Sequence, residues 1–334
     1  MHKGCFVLKA KVLYSQLVKK VRMDIAFIII GLVLLVFGGD WLLRAAVGMS
    51  LRLHIPRMVI GMTVVSFATS APELIVSVKS ALDGFSDIAL GNVVGSNIAN
   101  LGLVLGLTVL LSSITVQKSF YKMDWPFMML ASLVLYGFIF FDGMIQRWEG
   151  MVLFTLLILF ILVMFRNKGD NEVPDEVSEM ADKVPGTGKI LLLLLIGGVA
   201  LWGGSELLIR GAVGMAGYYG VSERVIAVTV VSVGTSIPEL AASIMAVLRK
   251  EKAISLGNLL GSNIFNILAV LGITAIITPV QAKDERLISS DLYWMLGYAF
   301  ILLPLVFLPR KMRLGKPEGI ILVGSYIAFV YFTL

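Results

Sequence analysis

The sequence predicts an all-α integral membrane protein of ten transmembrane helices, built as two inverted five-helix repeats. Three observations predict it. Apolar runs of spanning length recur along the whole chain, the two halves share an ungapped internal repeat, and each half holds an odd number of spans. Of the 334 residues, 58% are hydrophobic and 15% charged, with a mean hydropathy of +0.92. Soluble chains sit nearer half apolar and a quarter charged.

Windows of about 20 apolar residues, the length that crosses the hydrocarbon core, fall at 25–47, 58–82, 87–111, 123–141, 149–166, 189–213, 224–248, 253–277, 290–309 and 317–334. Most connections are short. The exception is 167–188 (NKGDNEVPDEVSEMADKVPGTG), polar and rich in acids, Pro and Gly, which reads as a solvated linker. It separates a first repeat, 23–166, from a second, 189–334.

A shift of 166 residues aligns Ile30–Met49 with Ile196–Met215 and Val59–Thr108 with Val225–Thr274, without gaps. In the second block 26 of 50 positions are identical. Hydrophobic composition would match Leu, Ile and Val by chance, but not Thr-Ser-x-Pro-Glu followed by Gly-Asn-x-x-Gly-Ser-Asn-Ile-x-Asn. Five spans per half make the second copy enter the membrane from the opposite side, and such architectures place their site near the midplane where the repeats meet.

Lys and Arg in and beside the loops set the expected orientation. Sixteen fall at connections 1–2, 3–4, 5–6, 7–8 and 9–10, against six at the other four. The first set, with the linker, is expected to be cytoplasmic and both termini outside, in a plasma (inner) membrane. Residues 1–22 carry Lys3, Lys9, Lys11, Lys19, Lys20 and Arg22 and no acid. Six positive charges outside oppose the rule, so this basic tail reads as non-native sequence or sequence upstream of a start at Met23. The other reading is a basic arm on the membrane surface.

The net charge of +6 resides in that tail, and the neutral remainder offers no nucleic-acid surface. Cys5 is the one cysteine and His2 and His54 the two histidines, so no thiolate or imidazole metal centre is expected. No Ser/His or Asp/Asp pair sits in a plausible motif, and neither enzymatic activity nor a cofactor is expected.

Glu73 and Glu239 lie about fifteen residues into their spans. A carboxylate at that depth costs several kcal/mol, which makes it a functional candidate. Thr69 and Ser70 precede Glu73 by four and three residues, on one helix face, and Ser66 and Ser77 extend the stripe. Pro72 cannot donate its amide and clashes one turn back, so the helix is expected to break there and free carbonyls near Ser66–Ala68. The second repeat repeats the spacing with Ser232, Thr235, Ser236, Pro238, Glu239 and Ser243. In the following spans Ser96 and Asn100 share a face, as do Ser262 and Asn266. Gly91, Gly95, Gly257 and Gly261 read as close-packing positions. Asn92, Asn97, Asn258 and Asn263 read as helix ties or caps of broken segments, and Asp40–Arg44 and Glu206–Arg210 as interfacial i, i+4 pairs.

Two carboxylates, two amides, hydroxyls and freed carbonyls make an all-oxygen set, suited to hard cations such as calcium and sodium rather than to softer metals. Their charge matches one divalent or two monovalent ions.

The paired TSxPE and GNxxGSNIxN segments resemble the two alpha-repeats of the cation/calcium exchanger superfamily, in its prokaryotic sodium/calcium antiporter branch. The resemblance covers both repeats and extends through spans 1 and 6. It implies a ten-helix sodium/calcium exchanger fold, with a cation site in spans 2, 3, 7 and 8 and with spans 1 and 6 sliding across them during alternating access. It places the family's coordinating acids on Glu73 and Glu239, its hydroxyl and carbonyl ligands on Ser66, Thr69, Ser70, Ser232, Thr235 and Ser236, and the paired-helix ligands on Ser96, Asn100, Ser262 and Asn266. Some members have Asp where this chain has Asn266, so this site is one negative charge poorer. The expected function is calcium/sodium antiport. Calcium/proton or potassium-dependent exchange is the alternative, and a cation channel is a further one. The expected partners are the two ions and the bilayer, with a monomer as a plausible state.

Overall fold

The computed structural model describes residues 2–166, 185–219 and 234–333. Helix α1 runs His2–Leu53. It is followed by α2 (Arg57–Leu82), α3 (Ser86–Leu111), α4 (Phe120–Asp142), α5 (Arg147–Arg166) and, after the linker, α6 (Thr187–Tyr218). The rest is α7 (Ile237–Leu248), α8 (Lys252–Ile277), α9 (Leu287–Phe307) and α10 (Lys316–Thr333). Eight of these are long and apolar enough to cross a membrane. Helix α7 is the described part of the span expected at 224–248, and α10 matches 317–334. The ten-helix, five-plus-five protein expected from hydropathy is the one observed. The boundary expected at Met23 is not a break in secondary structure, because α1 runs through it.

Burial sorts the helices into layers. In their most apolar windows α3 and α8 are 78% and 83% buried, whereas α1 and α6 are 33% buried. The two Ser/Asn helices therefore form the centre, and α1 and α6 lie outside with Ile29, Val33, Leu191 and Leu195 exposed to the lipid side. Helices α1 and α6 pack antiparallel along a seam of glycines. A Cβ on Gly31 would lie 2.7 Å from the Gly204 carbonyl, and one on Gly197 would lie 2.7 Å from the Leu42 nitrogen. No larger residue allows that approach, so the seam depends on glycine.

Two features escape a purely helical expectation. Short strands join the halves: β1 (Ile114–Thr115) and β2 (Met144–Ile145) from the first, β3 (Val280–Gln281) and β4 (Arg313–Leu314) from the second. Strand β1 pairs antiparallel with β4, and β2 with β3. A shift of one repeat carries β1 onto β3 and β2 onto β4, so the two ladders are mates about the pseudo-two-fold axis and tie the bundle at opposite ends. The second feature is a set of π turns, at Gly61–Val65 in α2, Asn100–Val104 in α3 and Asn266–Leu271 in α8. Such turns insert a residue into the α ladder and gather at functional sites.

Candidate cation site

Close approach of α2 to α8 builds the site. A Cβ on Gly61 would lie 2.6 Å from the Ile254 carbonyl, and one on Gly257 2.5 Å from that of Met58. At that separation side chains of α2 reach the backbone and hydroxyls of α8. Gly257 and Gly261 thus fill the packing role expected of them. Among the described residues a Cβ on Gly91 would lie 3.8 Å from Leu287 Cδ1 and one on Gly95 would meet nothing within 4 Å, so the close packing expected at these two positions is not seen there.

The two Thr-Ser pairs meet the Ser of the opposite repeat. Thr69 lies 3.3 Å from the Ser262 hydroxyl and donates to Asn258 Oδ1 at 3.2 Å. Its mate Thr235 lies 3.0 Å from the Ser96 hydroxyl. Ser70 donates to Glu239 Oε1 at 3.4 Å, again across the repeats. Glu73 and Glu239 are both 0% exposed. Neither Glu73 oxygen has a hydrogen-bond partner among the described residues, nor do Glu239 Oε2, Ser236 Oγ, both amide atoms of Asn100 and Asn266 Oδ1. An unpaired buried polar group costs about 1–3 kcal/mol, and more when charged. So many at one place is the arrangement expected of a site that a cation completes.

Other positions serve the scaffold. The Ser66 hydroxyl lies 2.9 Å from both the Gly61 and Asn258 carbonyls, so its one proton is committed to helix packing. Ser77 and Ser243 take the amides of Asn92 and Asn258 at 3.0 and 3.3 Å, a matched pair of ties within each repeat. Ser232 lies outside the described residues.

The helix break expected at Pro72 is absent. Pro72 lies inside continuous α2, and the departure from α geometry comes earlier, at Gly61–Val65. The proline withdraws only the donor that the Ala68 carbonyl would take, and the buried helix continues past it. In the second repeat the interruption is present: Thr235–Ser236 form a turn and Pro238 sits in the first turn of α7, where its missing N–H would be unpaired in any case.

Three contacts were not legible in the sequence. Asn258, read as a helix tie, also touches Thr69. Ser205 of α6 donates to the Gly234 carbonyl at 2.9 Å, just before Thr235; its repeat mate is Gly39, so the duplication gave no signal. Asp40, read as pairing with Arg44, also bonds Arg249 at the end of α7 at 2.6 Å.

Among the described residues no three His, Cys, Asp or Glu side chains converge as a metal centre. The buried polar groups at the candidate site are two carboxylates with hydroxyls and amides, the residue types expected of a hard-cation site.

Comparison with known proteins places this geometry. The sodium/calcium exchanger protein family matches residues 23–166 and 189–334. The putative antiporter CaxA of Alkalimonas amylolytica is 37% identical over 311 residues, covering 91% of this chain and 97% of its own. Sodium/calcium exchanger MaX1 of Methanosarcina acetivorans is 28% identical over 350 residues, covering 93% and 98%. The solved sodium/calcium exchanger from Methanococcus jannaschii superposes with a TM-score of 0.77 at 28% identity, covering 93% of this chain and 98% of that one.

Proposed function

The chain belongs to the sodium/calcium exchanger family, and from that premise we propose that it exchanges calcium for sodium across the membrane, both ions using one buried site in turn. The reading rests on one observation above all: two glutamates from oppositely oriented repeats are fully buried, Ser70 of one repeat bonds the glutamate of the other, and three of the four carboxylate oxygens have no hydrogen-bond partner among the described residues. Calcium takes six to eight oxygens from a flexible cage, and Glu73, Glu239, Asn100, Asn266, Thr69, Ser70, Thr235, Ser236, Ser96 and Ser262 are the residues that supply them. Ser66 and Ser232 complete the proposed set, the first through its backbone because its hydroxyl is committed to packing.

Two carboxylates balance one calcium or two sodium ions, and mutual exclusion at one set of ligands turns binding competition into exchange. Alternating access, general for this fold, opens the site to each side in turn, with α1 and α6 moving along the central helices. The linker 167–188 is placed in the cytoplasm and both termini outside, in the plasma (inner) membrane, on the distribution of Lys and Arg.

A second reading, calcium/proton exchange, draws on Glu73 having no cationic partner among the described residues, since a proton would also neutralise its charge. Calcium uptake into proteoliposomes, with sodium, potassium and proton gradients imposed one at a time, separates the two. An outward sodium gradient at equal pH is expected to drive uptake. Uptake driven only by a pH gradient would replace sodium by protons.

A further inference from the structure

The two site asparagines are not equivalent. Asn266 is 0% exposed and its Nδ2 donates to Asn97 Oδ1 at 3.1 Å, while its own Oδ1 has no partner among the described residues. Asn97 is 1% exposed, and its Nδ2 donates to the backbone carbonyl of Asn263 at 3.2 Å. That carbonyl can only accept. It therefore fixes which end of the Asn97 amide faces it: the NH2 must, and the oxygen must point the other way. Turned round, Asn97 would set oxygen against oxygen. The same logic passes to the next amide. With an oxygen presented by Asn97, Asn266 must offer its NH2, and its carbonyl oxygen is left as the end without a protein partner.

The first repeat lacks this relay. Asn100, the mate of Asn266, has no partner at either amide atom among the described residues. Asn263, the mate of Asn97, turns back to donate to Leu259 of its own helix at 2.7 Å. One amide of the site is thus oriented in advance, and the other has no such anchor among the described residues.

We infer that Asn97 is a positioning residue for cation binding: through the Asn263 carbonyl it holds Asn266 with its oxygen, not its NH2, toward the ion. This rests on the reading of Asn266 as a cation ligand. An amide whose NH2 faced the site would repel a cation, so loss of the relay weakens binding without removing a ligand. Outer partners that orient metal ligands are worth about 10- to 100-fold in affinity.

An aspartate at 266 supplies the test, because a carboxylate has no NH2 end to turn toward the ion, and Asn97 Oδ1 then faces an oxygen and can no longer hold the side chain in place. The full chain is reconstituted in proteoliposomes and the calcium dependence of sodium-driven exchange is measured for Asn97→Ala in two backgrounds, wild type and Asn266→Asp. In wild type the half-saturating calcium concentration is expected to rise about tenfold; in the Asn266→Asp background it is expected to stay within about twofold or to fall, a non-additivity that marks direct coupling. Asn97→Ser, too short to reach Asn266, replaces Asn97→Ala if the latter is not recovered as a monodisperse protein, with the same expectation. Equal effects in both backgrounds, or none in either, would overturn the positioning role. Unchanged calcium dependence in Asn266→Ala would overturn the ligand assignment beneath it.

Discussion

Ser70 of the first repeat donates to Glu239 of the second at 3.4 Å, whereas the equivalent bond from Ser236 to Glu73 is not made. The pseudo-two-fold axis that relates Thr69–Ser262 to Thr235–Ser96 is broken at the carboxylates themselves. Among the described residues Glu239 keeps a hydroxyl donor and Glu73 has none, so the two acids carry unequal costs of burial.

That inequality predicts opposite effects on stability and transport. Glu73→Gln removes an unpaired buried carboxylate and is expected to raise the melting temperature in the absence of calcium and sodium, by about 1–3 kcal/mol of stability. Glu239→Gln, which loses a group that is partly satisfied, should gain less. Both substitutions abolish calcium transport and the stabilisation that calcium confers on the wild type. A thermal-shift assay in detergent, paired with flux in proteoliposomes, checks each half; wild-type flux in either variant would remove that glutamate from the mechanism.

Asn266→Asp adds a third carboxylate to a site that has two. Its oxygens raise the negative charge available for additional sodium, and the sodium dependence of exchange is expected to steepen. The readout is the Hill slope of sodium-driven calcium efflux, and an unchanged slope means that position 266 does not set coupling.

The α1–α6 seam has its own test. A Cβ at Gly31 would sit 2.7 Å from the Gly204 carbonyl, so Gly31→Val forces the two outer helices apart. Neither residue is in the proposed site. Turnover is expected to fall about tenfold, or about 1.4 kcal/mol of barrier, with half-saturating calcium within about twofold of wild type. A change in calcium affinity with normal turnover would show that the seam shapes the site rather than its movement.

Asp40 joins α1 to the end of α7 through Arg249 as well as to its own helix through Arg44. Both arginine side chains are more than half exposed, 61% and 55%, so Arg249→Ala should cost less than about 1 kcal/mol of stability. Its effect is expected in rate, because the bond links an outer helix to the core. Exchange faster in Arg249→Ala and in high salt is the expected result; a rate insensitive to both would make the pair a static anchor.

The spans, the duplication and the inverted arrangement were legible because hydropathy and the 166-residue shift are properties of many residues at once. The candidate polar residues stood out for the same reason, since Thr-Ser-x-Pro-Glu occurs twice. What escaped depends on approach distances. Ser66 looks like Thr69 in sequence, yet only the contact permitted by Gly61 and Gly257 brings its hydroxyl to the Asn258 carbonyl. The ladders joining Ile114 to Leu314 and Ile145 to Val280 are two residues long, too short for alternation to register. The π turns beginning at Asn100 and Asn266 leave no mark on hydropathy. Pro72 misled because the local rule is strong and the surrounding packing stronger. The orientation of Asn97 turns on a backbone carbonyl three residues before Asn266, which no side-chain pattern reveals.

The central claim is that sodium and calcium exchange at the site shared by Glu73 and Glu239. The most direct measurement is uptake of radioactive calcium into proteoliposomes loaded with sodium, at equal pH and equal potassium on both sides, for wild type, Glu73→Gln and Glu239→Gln. Rapid uptake by wild type that collapses when the sodium gradient is removed, and is absent in both variants, is the expected result. Uptake indifferent to sodium, or retained in either variant, would contradict it.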